Sequence, residues 1–178
     1  LPGSSEQARL IYSCFLANMN FRYLQLLFPV LVALHNAEEA IRIPRWTRRS
    51  GPWFAGARPA VFRFAVVVLT VLAFVITVLS TVSGRMTFWA NLTFGCMMAT
   101  LFNALVPHIA VSIAKRTLMP GVITAAVFNL PILSWLMVLA LKQGYVSSHD
   151  ALVFSIAVPV LLLPMIPLLF QLGKILRL

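Results

Sequence analysis

The sequence predicts an all-α integral membrane protein, a bundle of about five transmembrane helices with the amino terminus outside and the carboxyl terminus in the cytoplasm. Three observations carry this. The 178 residues are 61% hydrophobic and only 10% charged, with a mean hydropathy of +0.94. A soluble domain is nearer half apolar and a quarter charged. The apolar residues gather in stretches of about 20, the length a helix needs to cross a bilayer. Finally, the 14 lysines and arginines flank those stretches, so the net charge of +10 reads as topology and contact with anionic lipid rather than nucleic-acid binding.

Residues 1–22 are expected to form an extramembrane or interfacial segment; no cleavable signal peptide is evident in LPGSSEQAR. The first span runs from about Tyr23 to Ile41, with Pro29 expected to kink it and free the Gln25 carbonyl. Residues 42–63 carry six arginines and should form a basic interfacial loop, with Trp46 and Trp53 as headgroup anchors. Span two, Phe64 to Val82, is uncharged. Span three, about Met86 to Ala114, contains Asn91, Asn103, Pro107 and His108. Span four opens at Met119-Pro120-Gly121, with Pro120 in its first turn, and ends near Leu141. Asn129 within it should hydrogen-bond across helices. Span five, Ala151 to Leu172, is preceded by a polar turn in which Asp150 is a candidate cap. Cys14 and Cys96 are too isolated to form a disulfide framework.

Charge sets the orientation. Arg42, Arg45, Arg48, Arg49, Arg58, Arg63, Lys115, Arg116, Lys174 and Arg177 fall on one side, against Arg9, Arg22, Arg85 and Lys142 on the other, ten to four. The first set is therefore cytoplasmic.

Leu34-His35-Asn36-Ala37-Glu38-Glu39 is the candidate site. The chain has four acidic residues and three histidines. Two of those acids sit three and four positions after His35, at the end of an apolar run. Ionisable groups in such a run point to function, and i, i+3 and i+4 share a helix face. His108 lies, like His35, about six residues or roughly 9 Å from the cytoplasmic end of its span. Imidazole and carboxylate suit zinc, and also iron or manganese. The expected ligands are His35, Glu39 and His108. Glu38 is the expected general base on a water activated by the ion, and Asn103 and Ser112 support the ligands by hydrogen bonds. In a competing reading, Glu38 and Glu39 pair with Arg42, Arg45 or Lys115 and His108 bonds a carbonyl or Ser112.

HNAEEAIRIPRW, followed by NALVPHIAVSIAK and MPGVITA, resembles the bacterial membrane protein family named for its HxxEE motif. The resemblance covers about Leu24 to Leu141 and implies a multi-pass protein of the bacterial inner membrane. It leaves the reaction open. A metal-dependent hydrolase of a lipid-like or amphipathic substrate is the first expectation. A small metal-ion or proton-coupled transporter is an alternative, as is an accessory subunit binding haem or a partner protein. The lipid bilayer is the expected partner; a homo-oligomer or a partner membrane subunit stays open, and nucleic acid is excluded.

Overall fold

A broken start gives the first helix its position. In the computed structural model, which describes residues 20–50 and 58–177, Asn20 caps a single turn, Phe21–Leu24, by accepting the Arg22 N–H. The chain then turns at Gln25-Leu26 and continues as α1, Leu27–Ser50. Pro29 therefore falls in a first turn, where no N–H is required, and the Gln25 carbonyl accepts the Phe28 N–H at 3.0 Å. The expected single span with a kink at Pro29 is replaced by a break before it.

Gln25 is fully buried. Its Nε2 shares two N–H groups among the Arg22 carbonyl, the Thr81 hydroxyl and the Tyr145 hydroxyl, all within hydrogen-bond distance, and its Oε1 accepts the Ser80 hydroxyl. A buried amide costs free energy unless it is paired; here the pairing ties three segments of the chain together at one end of the bundle.

α1 continues past the expected boundary to Ser50, and α2, Pro59–Ser83, begins with a proline in its first turn. Residues 42–50 and 59–63 of the expected loop are thus helical. Trp53 and the amino-terminal segment up to residue 19 lie outside the described residues, as does the side chain of Trp46. Thr87 caps α3, Phe88–Lys115, by accepting the Ala90 N–H. Within α3, Ala104–Ala110 is π-helical around Pro107. Proline removes an i→i−4 hydrogen bond and crowds the previous turn, and a wider turn relieves this.

α3 ends at Arg116 in the left-handed conformation, φ 48°. α4, Val122–Lys142, opens just after Gly121, so Pro120 precedes the helix instead of lying in its first turn. It has its own π segment, Ala125–Leu133, around Pro131. α5, Ser148–Ile175, is capped by Ser147, whose hydroxyl accepts the Asp150 N–H; Asp150 sits in the first turn instead of capping it. Asn129 also departs from expectation. It is fully buried, and neither end of its amide has a hydrogen-bond partner among the described residues.

α2, α3, α4 and α5 are each long and apolar enough to cross a membrane. α1 does not meet that description, because Glu38, Glu39 and Arg42 interrupt it. No strand occurs among the described residues. α2 packs between α1 and α3; α5 lies against α3 and α2; the π segment of α4 fits against α1 and the π segment of α3. Gly95 allows the close approach of α3 to α5, since a Cβ there would lie 2.5 Å from the Val158 side chain and 2.7 Å from the Phe154 carbonyl. Small residues at helix contacts are how bundles pack in lipid, where lipid tails remove the hydrophobic advantage of association. Phe28, Phe94, Met97, Leu133 and Leu136 fill the core. Leu152, Ile156, Val160 and Leu168 of α5 face outward, which suits a lipid-facing helix.

Candidate metal centre

Helical spacing puts His35, Glu38 and Glu39 of α1 on one side, facing α3 and the start of α4. The His35 and His108 rings meet edge to face, centroids 4.6 Å apart at 87°, and both are buried. Glu39 Oε1 lies 3.3 Å from His108 Nε2. One donor atom each from His35, Glu39 and His108 can be chosen so that no pair is more than 4.8 Å apart; this group could hold a metal ion. Tetrahedral zinc ligands at about 2.1 Å lie about 3.4 Å apart. The widest of these separations would then close by up to about 1.4 Å, a movement that side-chain rotation can supply. The 3.3 Å pair is already close to the edge of a tetrahedral site.

Hydrogen bonds assign the histidine nitrogens. The Thr124 hydroxyl lies 2.8 Å from Glu38 Oε2 and 3.1 Å from the Gly121 carbonyl, both acceptors only. Its proton is committed to one of them, so His35 Nδ1–H donates to Thr124 Oγ1 at 3.0 Å. His108 Nδ1–H donates to the Pro120 carbonyl at 2.8 Å. Both rings therefore turn Nε2 lone pairs inward. The Asn103 Nδ2 group lies 3.4 Å from one Nε2 and 3.2 Å from the other. Fixing Nδ1 so that Nε2 is available is how metal-ligating histidines are oriented.

Glu38, the expected general base, has both carboxylate oxygens engaged. Oε1 pairs with Arg42 at 2.6 Å, and Oε2 accepts the Thr124 backbone N–H at 3.0 Å and its hydroxyl. The competing reading in which an acid pairs with Arg42 thus describes Glu38, while Glu39 faces the histidines. Ser112 does not reach His108; its hydroxyl accepts the Met119 N–H and supports the loop into Gly121. Asn103 does reach both histidines. On an α-helix it would lie about 140° from His108. The π turns that begin at Ala104 insert extra residues and bring positions five apart together.

Gly121 forms one wall, with φ 86°. A Cβ on it would lie 2.8 Å from His35 Cε1, 2.9 Å from His108 Cε1 and 3.0 Å from Glu39 Cγ. Only glycine combines that backbone with that proximity. Thr124, Gly121 and the Pro120 carbonyl were not singled out as site groups from sequence. Pro120-Gly121 stood out as a helix start and as part of the block that carries the family resemblance, not as ligand-positioning groups, and a threonine in an apolar span has no spacing signal.

The centre opens on a cavity of about 920 Å³ between α1 and α5, floored by α2 and α3. Its walls are almost wholly apolar, with polar groups concentrated at His35, Asn36, Glu39, Asn103, His108 and Lys174. Such a volume is in the range of small-molecule sites.

Residues 26–136 match the family described as "Protein of unknown function with HXXEE motif". The chain is similar to the uncharacterized protein YrkK of Bacillus subtilis (strain 168), 28% identical over 153 residues that cover 85% of this chain and 96% of that protein. No solved structure matches. The chain belongs to the HXXEE family.

Proposed function

We propose that this HXXEE-family protein binds a divalent metal, zinc first, through His35, Glu39 and His108, and uses it to hydrolyse an amphipathic substrate held in the adjoining cavity. The observation that carries the reading is the convergence of three electron-pair donors. Two imidazole Nε2 atoms and a carboxylate oxygen meet at a buried point, with the Asn103 amide as a hydrogen-bond donor beside them. Acceptors gathered away from water need a partner, and a single cation can satisfy all three at once. Imidazole and carboxylate together suit zinc, iron or manganese.

The bound ion would supply Lewis-acid polarisation of the bond to be cleaved. Hydrolysis adds a hydroxyl to the electrophilic atom and a proton to the leaving group. The chain's own residues position this chemistry. Thr124 and the Pro120 carbonyl hold the two rings. Arg42 and Glu38 hold Thr124, so Glu38 acts through Thr124 as a positioning residue. Gly121 leaves the space between the ligands open. With α1 counted as a span over its apolar half, the bundle has five crossings. The ten-to-four division of cations then puts the centre in the cytoplasmic leaflet and the amino terminus outside.

Elemental analysis of the purified full chain after zinc exchange tests the reading. About one zinc per chain is expected, and its loss in His35→Ala and Glu39→Gln, with folding followed by circular dichroism. Glu39→Gln keeps the side-chain shape and removes the charge. A folded wild type that takes up no metal, or variants that both retain it, would overturn the proposal. A second reading, a hydrogen-bonded lock without an ion, draws on the Asn103 amide lying between the two Nε2 atoms; it is the outcome left by a metal-free, folded wild type.

A further inference from the structure

Resting on the hydrolase reading, we infer that the substrate is a single-chain amphiphile with an anionic head, its tail in the apolar cavity, its head at Lys174 and its head–tail junction beside the metal centre. The levels of the wall residues give this order. Gly173 packs on Val61 of α2, where an added Cβ would lie 3.0 Å from the Val61 side chain. Asn36, next to His35, donates to the Val66 carbonyl and the Thr70 hydroxyl. At 1.5 Å per residue, Lys174 therefore lies about 8 to 14 Å further toward the end of the bundle than the metal centre.

In the other direction the cavity continues past Val32 to Phe28, Ile76 and Leu92. The wall runs along α3 from Leu92 to His108 and along α5 from Val158 to Lys174, 16 helical rises in each, or about 24 Å. One leaflet of a bilayer is about 15 Å of hydrocarbon, half of the usual core. The cavity thus has length for one lipid chain and its head. Lys174 is the one cationic residue among the described wall residues.

Charge argues for the same order. An anionic head at Lys174 meets an exposed ammonium. On the far side of the centre the walls are mainly apolar, and the Thr100 hydroxyl there already donates to the Cys96 carbonyl, which disfavours amphiphiles with a head at each end. The bond within reach of His35, Glu39 and His108 is the one that joins head to tail.

Native mass spectrometry of the full chain released from detergent reads binding of two probes with the same oleoyl chain, a lysophosphatidate and a neutral monoacylglycerol. The wild type is expected to bind one lysophosphatidate. Lys174→Ala should weaken that binding roughly tenfold, the scale of one charge-assisted hydrogen bond, and leave the monoacylglycerol unchanged. Val32→Trp on α1 and Leu162→Trp on α5 fill the tail region from opposite walls, and whichever of them folds should lose both probes. The inference is overturned if the wild type binds neither probe, if Lys174→Ala weakens both alike, or if a folded tryptophan variant keeps them. A wild type that carries metal but binds neither probe sinks this inference alone. A wild type that binds lysophosphatidate without taking up metal sinks the metal reading and leaves the cavity's specificity standing.

Discussion

Replacing Gly121 by alanine puts a methyl carbon 2.8 Å from His35 Cε1, 2.9 Å from His108 Cε1 and 3.0 Å from Glu39 Cγ. Two costs follow. The backbone at φ 86° disfavours any Cβ by about 1–2 kcal/mol. Overpacking against three side chains adds about 1–3 kcal/mol. The side chains have two ways to respond. If the ligands move apart, the steric part appears as weaker metal binding, about ten- to a hundredfold for 1.4–2.8 kcal/mol. If the 116–121 loop moves instead, it appears as lost stability. Gly144→Ala separates the terms, because Gly144 also has a positive φ, 60°, and a Cβ there would meet nothing within 4 Å. The assay is zinc competition with a chromogenic chelator, run beside thermal unfolding in detergent. Gly144→Ala should lose about 1 kcal/mol of stability and keep its zinc affinity. Gly121→Ala should lose at least tenfold in affinity. A folded Gly121→Ala protein with wild-type affinity and wild-type stability would refute the claim that Gly121 holds the ligand set open.

Thr124→Val removes the hydroxyl that accepts from His35 and donates to Glu38. The three ligands stay, so stoichiometry should hold while zinc affinity falls about 10- to 100-fold, the usual cost of losing a group that orients a ligand; an unchanged affinity by the same chelator competition would remove Thr124 from the site. For topology, Arg58→Cys in a background without Cys14 and Cys96 should resist a membrane-impermeant maleimide on intact cells and react after permeabilisation. Labelling from outside would reverse the orientation.

Much of the architecture was legible in the sequence because membrane spans are a local property. A run of about 20 apolar residues must satisfy its backbone internally, and a helix does so. Four of the expected spans reappear as α2 to α5 with ends shifted by a few residues. The pairing of His35 with Glu39 needed only the i, i+4 rule, and the approach of His108 needed only matched depth. What the sequence could not determine depends on atoms far apart in the chain or on small departures from ideal helix. The break before Pro29 depends on Gln25 finding Thr81, Ser80 and Tyr145. The meeting of Asn103 with His108 depends on π turns that change the angle between positions five apart. The division of labour between Glu38 and Glu39 shows the same limit. The two are adjacent in sequence and identical in chemistry. Arg42 is a local i, i+4 partner open to either reading of the sequence, but tertiary structure alone sends the other Glu38 oxygen to Thr124 and Glu39 to the imidazoles, because the turn through Gly121 sets Thr124 beside Glu38 while His108 of α3 lies beside Glu39.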